Sequence, residues 1–423
     1  MYYASPLFPL VPLGQLATFV QYGSSERANT TGVGVPMIRM NNLQANGWDL
    51  SDIKHIELDE EELDRYRLKR GDLLFNRTNS KELVGKCEVF NEEGDWVFAS
   101  YLIRVQLAAR VLPDFVSSFL NSPAGRIQID QVSRQIAGMS NVNAEELRQL
   151  EVPLPGIDVQ RQLVAELDTA RSERDSALSK ADRLLTSIDD LVKQALGLPE
   201  LPLPASSGYA VNLADIRQSS TLSAEYFHPE RTRALKAIGS LANSPLGDLV
   251  SFRRDTVSTP GGARYVGLAS VASNTGQLTT ATESAAGQCF AFEAGNVLYG
   301  RLRPYLNKVW LANFDAVCST EFHVMRVKDP TMLLPAYLAV VMRTQLIVAQ
   351  TKHMMTGNTH PRLANEDVIN LLIPLTDIPT QQSIVDQAIA RQTEAQRLRA
   401  RSTSVWREAR ARFERQLLNR SAA

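Results

Sequence analysis

The length of the chain, 423 residues, is too great for one ordinary hydrophobic core and predicts two to four domains. The composition, 44% hydrophobic and 22% charged residues, is typical of a soluble globular protein. The formal net charge of −1 excludes a protein that binds polyanions over its whole surface, so contact with nucleic acid would need local basic patches or partners that add positive charge.

Three features of the sequence predict a cytoplasmic protein with no membrane partner. The cysteines Cys87, Cys289 and Cys318 are few, odd in number and widely separated, which argues against a disulfide framework or a zinc site. The longest apolar stretch, Met332–Met342, is about half as long as a membrane span and contains a proline. The first residues, MYYASPLFPLVPLG, lack the basic region and the cleavage site of a signal peptide.

The first half of the chain starts with short runs of aromatic and β-branched residues between turn residues, a pattern that predicts β-strands. These runs are VPMIRM (Val35–Met40), GDLLFNR (Gly71–Arg77) and WVFASYLIRVQL (Trp96–Leu107). A helical segment at Asp114–Asn121, a polar loop around Ala137–Asn143 and an extended step bounded by prolines follow. The expected unit is therefore a mixed α/β globular domain.

A long helix is predicted over Val159–Leu196, where apolar residues recur at alternating spacings of four and three. The seam continues for about five heptads, which indicates a coiled-coil partner. Arg174 is its one break. The helix is expected to end at Gly197, because the proline-rich segment LPELPLPASSG comes next.

The second half of the chain repeats this plan. GNVLYGR (Gly295–Arg301) lies 224 positions after GDLLFNR, and IPLTDIPTQQSIV (Ile373–Val385) lies 221 positions after VPLPGIDVQRQLV (Val152–Val164). Similar landmarks in one order at a nearly constant offset indicate a tandem duplication. A second long helix, Gln381–Leu418, is the expected partner of the first. The pattern leaves open whether the helices only space or oligomerise the domains or also dock another protein.

Three segments resemble the signatures of type I restriction–modification specificity subunits. They are GDLLFNRTNSKELVGKCEVF (Gly71–Phe90), LEVPLPGIDVQRQLV (Leu150–Val164) and RLLTSIDDLVKQALG (Arg183–Gly197). The resemblance covers essentially the whole chain. The second half departs more, since Asn296 replaces the acidic residue after the glycine and Thr376 stands where the first half has Pro155.

The resemblance implies an α+β fold with two tandem-duplicated mixed α/β recognition domains, each followed by a long helix, and an antiparallel coiled coil of the two helices. The implied segments are a first target recognition domain, a central long helix, a proline-rich linker, a second target recognition domain and a C-terminal long helix. Their predicted bounds are 1–152, 153–197, 198–222, 223–373 and 374–423.

The resemblance also implies a function without catalysis. Each recognition domain would read one half of a bipartite target in double-stranded DNA, and the helices would set the spacing of the two halves. Two adenine-N6 methyltransferase subunits would dock on the chain, with motor-nuclease subunits where the system has them. The chain itself would bind no cofactor, because S-adenosylmethionine and ATP with Mg belong to the partner subunits.

Two other functional classes compete with this interpretation. The near-neutral charge is compatible with an adaptor or scaffold that binds protein partners through two duplicated domains. A stand-alone methyltransferase or nuclease is disfavoured, since the sequence has no phosphate-binding loop motif and no Asn-Pro-Pro-Tyr/Phe motif. The five histidines also show no spacing typical of zinc ligands, so no catalytic or metal-binding residue is predicted.

Candidate DNA contacts are chosen by side-chain chemistry, because Arg and Asn pair with base edges whereas Lys suits phosphates. In the first half they are Arg39, Asn41, Arg77, Asn79, Lys81, Lys86, Ser140 and Asn141. In the second half they are Arg301, Arg303, Tyr305, Lys308, Asn358, His360 and Arg362. Each has a plainer alternative, a solvated polar loop or a helix cap. Arg65–Arg70, beside an acidic run, is expected to be a solvated face.

Overall fold

The computed structural model describes residues 6–418 except 45–46, 82, 137–138, 199–207, 219–222, 259–263, 280–282, 284, 286, 353 and 355–361. The chain divides into two compact units. The first unit comprises Met1–Ala177 together with Ala400–Ala423, and the second comprises Leu178–Arg399. None of the described helices combines the length and the apolar character needed to cross a membrane.

The first unit contains short strands and helices that precede one long helix. Its strands are β1 Leu10–Pro12, β2 Ala17–Tyr22, β3 Val35–Ile38, β4 Leu43–Gln44, β5 Gly47–Trp48, β6 Lys54–Ile56, β7 Leu73–Asn76, β8 Thr78–Asn79, β9 Cys87–Val89, β10 Val97–Phe98, β11 Leu102–Leu107, β12 Arg134–Ile136, β13 Met139–Asn141 and β14 Glu151–Pro153. Its helices are α1 Leu13–Leu16, α2 Glu60–Tyr66, α3 Pro113–Leu120, α4 Pro123–Val132, α5 Ala144–Arg148 and the first part of α6 Ile157–Ala195. The helices predicted at Asp114–Asn121 and Val159–Leu196 are confirmed as α3 and α6.

The second unit repeats many of these elements. Its strands are β15 Asn243–Pro245, β16 Val250–Arg253, β17 Thr256–Ser258, β18 Tyr265–Val266, β19 Gln288–Phe292, β20 Val297–Gly300, β21 Val309–Leu311, β22 Ala316–Ser319, β23 Phe322–Val327 and β24 Leu372–Pro374. Its helices are α7 Leu213–Gln218, α8 Pro229–Gly239, α9 Leu246–Leu249, α10 Pro335–Val341, α11 Gln345–Thr351, α12 Asn365–Ile369 and the first part of α13 Ile378–Leu417. The predicted second long helix is therefore α13.

Each unit has an antiparallel four-stranded sheet with the same strand connectivity. In the first unit the order is β2-β11-β7-β9, and in the second it is β16-β23-β20-β21. The motif GDLLFNR supplies β7, whose four residues are all buried, and GNVLYGR supplies β20, which is buried in the same way. A run of apolar residues with both faces covered explains why these strands show no polar alternation.

The turn before each of these strands is built alike, although the sequence differs. Gly71 and Gly295 both adopt positive φ, +91° and +87°, which favours glycine. An Asp72 carboxylate oxygen accepts a hydrogen bond from the Lys69 amide at 2.9 Å, and the Asn296 side-chain oxygen accepts one from the Glu293 amide at 3.0 Å. Asn296 therefore preserves the structural role of Asp72, because the turn needs an acceptor oxygen and not a charge.

The long helices pair antiparallel within each unit. In the first unit Leu163 and Leu167 of α6 belong to the same buried cluster as Phe413 and Leu417 of α13, and Glu173 forms an ion pair with Arg401 at 2.6 Å. In the second unit the later half of α6 meets the earlier half of α13, as shown by the buried cluster that contains Ile188, Leu191, Ile384 and Ala388. Asp182 and Arg399 form an ion pair at 2.8 Å there.

Arg174, which breaks the apolar seam of α6, is buried in the first unit. Its guanidinium lies over the ring of Trp406 at 4.9 Å and forms an ion pair with Asp175 at 2.7 Å. The aromatic face and the carboxylate together compensate for burial of the charge. A tertiary contact thus explains the exception in the heptad pattern.

Two buried glutamines, Gln160 and Gln381, join the start of each long helix to its globular domain in the same way. The Gln160 side-chain oxygen accepts a hydrogen bond from the Leu112 amide, directly before α3, and Gln381 accepts one from Leu334, directly before α10, both at 2.9 Å. The side-chain amide of Gln160 donates to the Pro155 carbonyl at 2.9 Å, and that of Gln381 donates to Thr376 at 2.8 Å. The repeated glutamine therefore satisfies backbone groups that no helix or strand pairs.

We predict that Gln160→Leu lowers the free energy of unfolding by about 1–3 kcal/mol, because it leaves buried backbone groups without partners. Gln162→Leu is the matched control, since Gln162 is exposed two positions along the same helix. Gln381→Leu and its exposed neighbour Gln382→Leu form the corresponding pair in the second unit. Urea denaturation would measure all four; equal losses in a variant and its control would contradict the structural role of the glutamine.

Candidate nucleic-acid interface

Strand pairing brings together candidate residues of the first unit that lie about sixty positions apart in the sequence. β8 pairs antiparallel with β13, so that Asn79 faces Ser140 and Thr78 faces Asn141. Arg77 directly precedes β8, and its carbonyl accepts a hydrogen bond from the Val142 amide at 2.8 Å. Arg77, Asn79, Ser140 and Asn141 thus form one corner of the unit, which we call the first corner.

The side chain of Arg77 is held in position by neutral groups. Its guanidinium lies over the ring of Tyr22 at 4.8 Å, and one Nη donates to the Ser100 carbonyl at 3.3 Å. Its Nε is buried and has no acceptor among the described residues. Arg77 is half-buried and forms no ion pair within the described part of the chain, so it keeps donor capacity for a ligand.

The two candidate lysines lie on either side of the loop that follows β8. Lys81 is exposed, whereas Lys86 is half-buried. Burial and the neighbouring positive charge of Arg126 lower the pKa of Lys86. Arg126 of α4 also donates to the carbonyls of Val84 and Lys81, which fixes the loop to the helix.

Arg39 and Asn41 line a surface cleft of about 360 Å³ that contains none of the four residues of the first corner. Arg39 is already engaged: it donates to the Asp52 carbonyl at 2.9 Å and forms an ion pair with the Asp52 carboxylate at 3.0 Å. Asn41 is exposed. Arg39 therefore shapes the cleft wall, and its charge is largely compensated in the free chain.

The same cleft contains three residues that the sequence analysis missed, Arg27, Lys54 and Tyr101. Among the described residues neither Arg27 nor Lys54 has a side-chain hydrogen bond or an ion pair. Tyr101 is 49% exposed, and its carbonyl accepts a hydrogen bond from the Arg77 amide at 3.0 Å, which joins the cleft to the first corner. No motif or spacing marks these three residues, because only the fold places them together.

A corresponding corner exists in the second unit. The Arg301 amide donates to the Glu321 carbonyl at 2.8 Å, as the Arg77 amide does to Tyr101, and the Arg301 carbonyl accepts from Leu363 at 3.3 Å, as that of Arg77 does from Val142. An isolated bridge pairs Leu302 with Arg362. The backbone around Arg301 is thus equivalent to that around Arg77, and Arg362 takes the place of Asn141.

The loop after Arg301 carries exposed side chains on a strained backbone. Arg303 and Asn307 adopt left-handed conformations with φ of +50° and +47°. Arg303 is exposed, and Tyr305 is 44% exposed. Left-handed backbone at residues other than glycine costs about 1 kcal/mol or more and is common at functional sites. The Asn307 side chain stabilises the loop by donating to the Arg343 carbonyl at 2.6 Å.

The remaining candidates of the second unit have different surroundings. The ammonium of Lys308 donates to the Leu268 carbonyl at 2.6 Å, and burial lowers the pKa of Lys308. Arg362 is half-exposed and forms an ion pair with Glu321 at 2.6 Å, which raises its pKa. Asn358 and His360 lie outside the described residues.

His323 lies beside Arg301 in the second unit. It stacks against Tyr299 with ring centroids 6.3 Å apart and meets Phe252 edge-on at 5.8 Å. Burial, together with the positive charges of Arg301 and Arg254, lowers the pKa of His323 to about 3. The imidazole is therefore neutral near pH 7 and packs as an aromatic ring against Tyr299 and Phe252, next to Arg301. Within the described part of the chain no group of three or more His, Cys, Asp or Glu side chains could hold a metal ion.

Comparison with known proteins identifies the relatives of the chain. No protein-family model matches it. A chain solved in work on the complex assembly and conformational transition of the type I R-M system covers 98% of this chain and 98% of its own length, with a TM-score of 0.54 and 13% identity. The type I restriction–modification S subunit from M. genitalium covers 100% and 99%, with a TM-score of 0.50 and 10% identity. This chain has the fold of a type I specificity subunit.

The sequences agree with this assignment over part of the chain. The specificity subunit of the type I restriction enzyme EcoKI from Escherichia coli (strain K12) is 30% identical over 192 residues, which are 43% of this chain and 41% of that protein. The matched region thus spans about two fifths of the length of this relative. The predicted resemblance and the predicted fold class, two duplicated α+β domains with long paired helices, are both confirmed.

The low pKa of His323 predicts a pH dependence of stability. The unfolded chain binds a proton at an ordinary pKa of 6.5, whereas the folded chain does so only near 3. The free energy of unfolding should therefore fall as the pH decreases from 6.5 towards 3, by about 1.4 kcal/mol per pH unit from this residue alone.

Urea denaturation of the wild type and of His323→Gln between pH 7 and pH 5 would test this dependence. The variant should lose the contribution of this histidine to the pH slope, whereas the control His228→Gln should keep it. Parallel slopes for the wild type and His323→Gln would show that the histidine titrates normally in the folded chain.

Proposed function

We propose that the chain is a non-catalytic DNA-specificity subunit of a type I restriction–modification complex. Each globular domain reads one half of a bipartite double-stranded target, and α6 and α13 set the spacing and dock adenine-N6 methyltransferase subunits. The observation that carries the proposal is the duplicated corner, in which Arg77 and Arg301 have equivalent backbone positions. Two equivalent reading positions on one chain suit a target with two halves, as a dimer suits a palindrome.

The chemistry of the two corners supports contact with DNA. Arginine donates two parallel hydrogen bonds to guanine, and asparagine pairs with adenine, so Arg77, Asn79 and Asn141 could address base edges. Arg27, Lys54 and Lys81 suit phosphates, which position a protein on the duplex. In the second unit Arg301, Arg303, Tyr305, Lys308 and Arg362 take the corresponding roles, together with the predicted Asn358 and His360.

The other parts of the proposal follow from this role. S-adenosylmethionine belongs to the methyltransferase subunits, and ATP with Mg belongs to motor-nuclease subunits where these are present. The segment bounds 1–152, 153–197, 198–222, 223–373 and 374–423 remain our assignment of recognition domains, helices and linker. These points rest on the resemblance of the sequence motifs to specificity subunits.

A domain exchange tests the proposal. Residues 1–152 would be replaced by the first recognition domain of another type I specificity subunit, and the hybrid would be expressed with methyltransferase subunits. The ring centroids of Phe115 and Phe413 lie 5.8 Å apart, and the Ala124 amide donates to the Glu414 carboxylate at 2.8 Å. These contacts with α13 must be kept in the graft. Sequencing of N6-methyladenine in cellular DNA would give the methylated motif.

We expect one half of the methylated motif to change while the other half stays the same. The unread gap, which is the number of unspecified base pairs between the two halves, should also stay the same because α6 and α13 are unaltered. If both halves changed together, independent reading would be wrong. If the gap changed, the helices would not set the spacing. If the parent chain supported no methylation and bound no duplex but still captured protein partners, the adaptor interpretation would replace the proposal.

A second prediction concerns Arg77. Arg77→Ala should weaken binding to the cognate duplex by about 1–3 kcal/mol, the range for a lost two-point base contact. Arg65→Ala is the control, because Arg65 is exposed on α2 and an exposed charge contributes little. Fluorescence anisotropy at one fixed salt concentration would measure both, with urea denaturation to confirm that loss of the Tyr22 contact has not unfolded the unit. Equal effects of the two substitutions would remove Arg77 from the proposed base contacts.

A further inference from the structure

The second unit contains a compact group of hydrogen-bond donors around one carboxylate oxygen. The Ala269 amide donates to one oxygen of Glu283 at 3.0 Å, and the Ser270 amide and hydroxyl both donate to the same oxygen at 3.2 Å. The Ser270 hydroxyl oxygen also accepts a hydrogen bond from the Gly267 amide at 3.3 Å. We call the three donors to Glu283, which are the Ala269 amide, the Ser270 amide and the Ser270 hydroxyl, the 267–270 nest. Successive backbone amides that converge in this way bind anions.

Lys308 places a positive charge next to the nest. Its ammonium donates to the carbonyl of Leu268, which lies within the nest segment, at 2.6 Å. The negative charge of Glu283 opposes the lowering of the Lys308 pKa by burial, so the two charges interact. Two amides, a hydroxyl and a neighbouring ammonium are the groups that proteins use to hold a phosphate oxygen.

The nest lies at the protein surface. Ala269 and Glu283 are both exposed, whereas Ser270 is buried and holds its hydroxyl in place. Lys308 ends the strained loop that carries the exposed Arg303 and Tyr305. The nest is therefore connected to the residues that the proposed function assigns to DNA contact in the second unit.

We propose that the 267–270 nest is a binding site for a phosphate of the DNA backbone and that Glu283 occupies it in the free chain. This inference rests on the proposed function. The carboxylate presents one negative oxygen to the three donors, as a phosphodiester oxygen would. When DNA binds, the phosphate takes the three donors and pairs with Lys308, while the exposed Glu283 side chain turns into solvent. The exchange lowers affinity for DNA in general, because each phosphate contact here has to displace an internal anion.

Salt dependence distinguishes this role from a simple anchor of the loop. In the wild type, Glu283 partly offsets the charge of Lys308, and its carboxylate takes up a cation from solution when a phosphate displaces it, so few counterions are released in net. In Glu283→Ala the phosphate pairs with Lys308 without displacing a carboxylate, so about one more counterion is released in net. The slope of log K against log salt should therefore become steeper by about 0.9, with tighter binding at low salt.

The experiment uses the full-length chain and two probes, duplex DNA and inorganic phosphate. Glu283→Ala opens the nest, and Glu283→Ala with Ser270→Ala opens it but removes one donor. Asp386→Ala is the control for net charge, since it removes an exposed carboxylate of α13 in the same unit. Anisotropy titrations over a range of salt would measure DNA binding, and thermal unfolding at constant ionic strength would measure stabilisation by phosphate.

The proposal expects Glu283→Ala to gain both the steeper slope and a saturable stabilisation by phosphate. The double variant should lose most of that gain, and Asp386→Ala should show none of it. The inference is overturned if Glu283→Ala behaves as Asp386→Ala does with both probes, or if it only unfolds more easily. Should Glu283→Ala not fold, Glu283→Gln keeps an acceptor oxygen without the charge and must then show the steeper slope.

The two proposals can fail separately. A wild-type chain that binds no duplex at any salt concentration would contradict the proposed function, yet the phosphate response of Glu283→Ala would still decide whether the nest is an anion site. A wild type that binds DNA normally, with a Glu283→Ala variant of unchanged slope, would leave the specificity role intact and remove the nest from it.

Discussion

The antiparallel pairing of α6 with α13 is the constraint on which both units depend. Each unit takes one half of each helix into its largest buried cluster. The first unit completes its core with a distant segment, the end of α13, whereas the core of the second unit lies within one contiguous stretch of chain that includes both helix halves. Burial of apolar surface drives this pairing, and the ion pairs Glu173–Arg401 and Asp182–Arg399 add only a modest contribution at the surface. The C-terminal residues are consequently part of the first unit, although they lie furthest from it in the chain.

The duplication preserves backbone geometry more strictly than it preserves side chains. Asp72 and Asn296 supply the same acceptor to the same turn, and Gln160 and Gln381 hold the same kind of backbone junction. At the two corners the backbone hydrogen bonds of Arg77 and Arg301 correspond, but their surroundings do not: Arg77 lies over Tyr22, whereas Arg301 lies beside His323. A shared backbone frame with different side chains fits the proposal that the two domains read different half-sites.

Acidic residues compensate several of the candidate cations. Asp52 pairs with Arg39, Glu321 pairs with Arg362, and Glu283 lies close to Lys308. These contacts are at least partly exposed, so each of them contributes only a modest free energy to the free chain. They are also compatible with a net charge of −1 in a chain that we propose binds DNA, since each internal carboxylate masks a cation until a phosphate displaces it.

The sequence by itself determined the features that depend on local pattern. Apolar residues at alternating spacings of four and three located α6, short runs of β-branched residues located β7 and β20, and the recurrence of both revealed the duplication. Resemblance to a known family then supplied the antiparallel arrangement. The tertiary structure decided the features that depend on contacts distant in sequence. It paired Asn79 with Ser140, placed Arg27 and Lys54 in one cleft, laid Arg174 over the ring of Trp406 and brought Glu283 onto the amides of Ala269 and Ser270. Secondary structure leaves a periodic signal because neighbouring residues share one backbone geometry, whereas a surface corner leaves none, since its members meet only after the chain has folded.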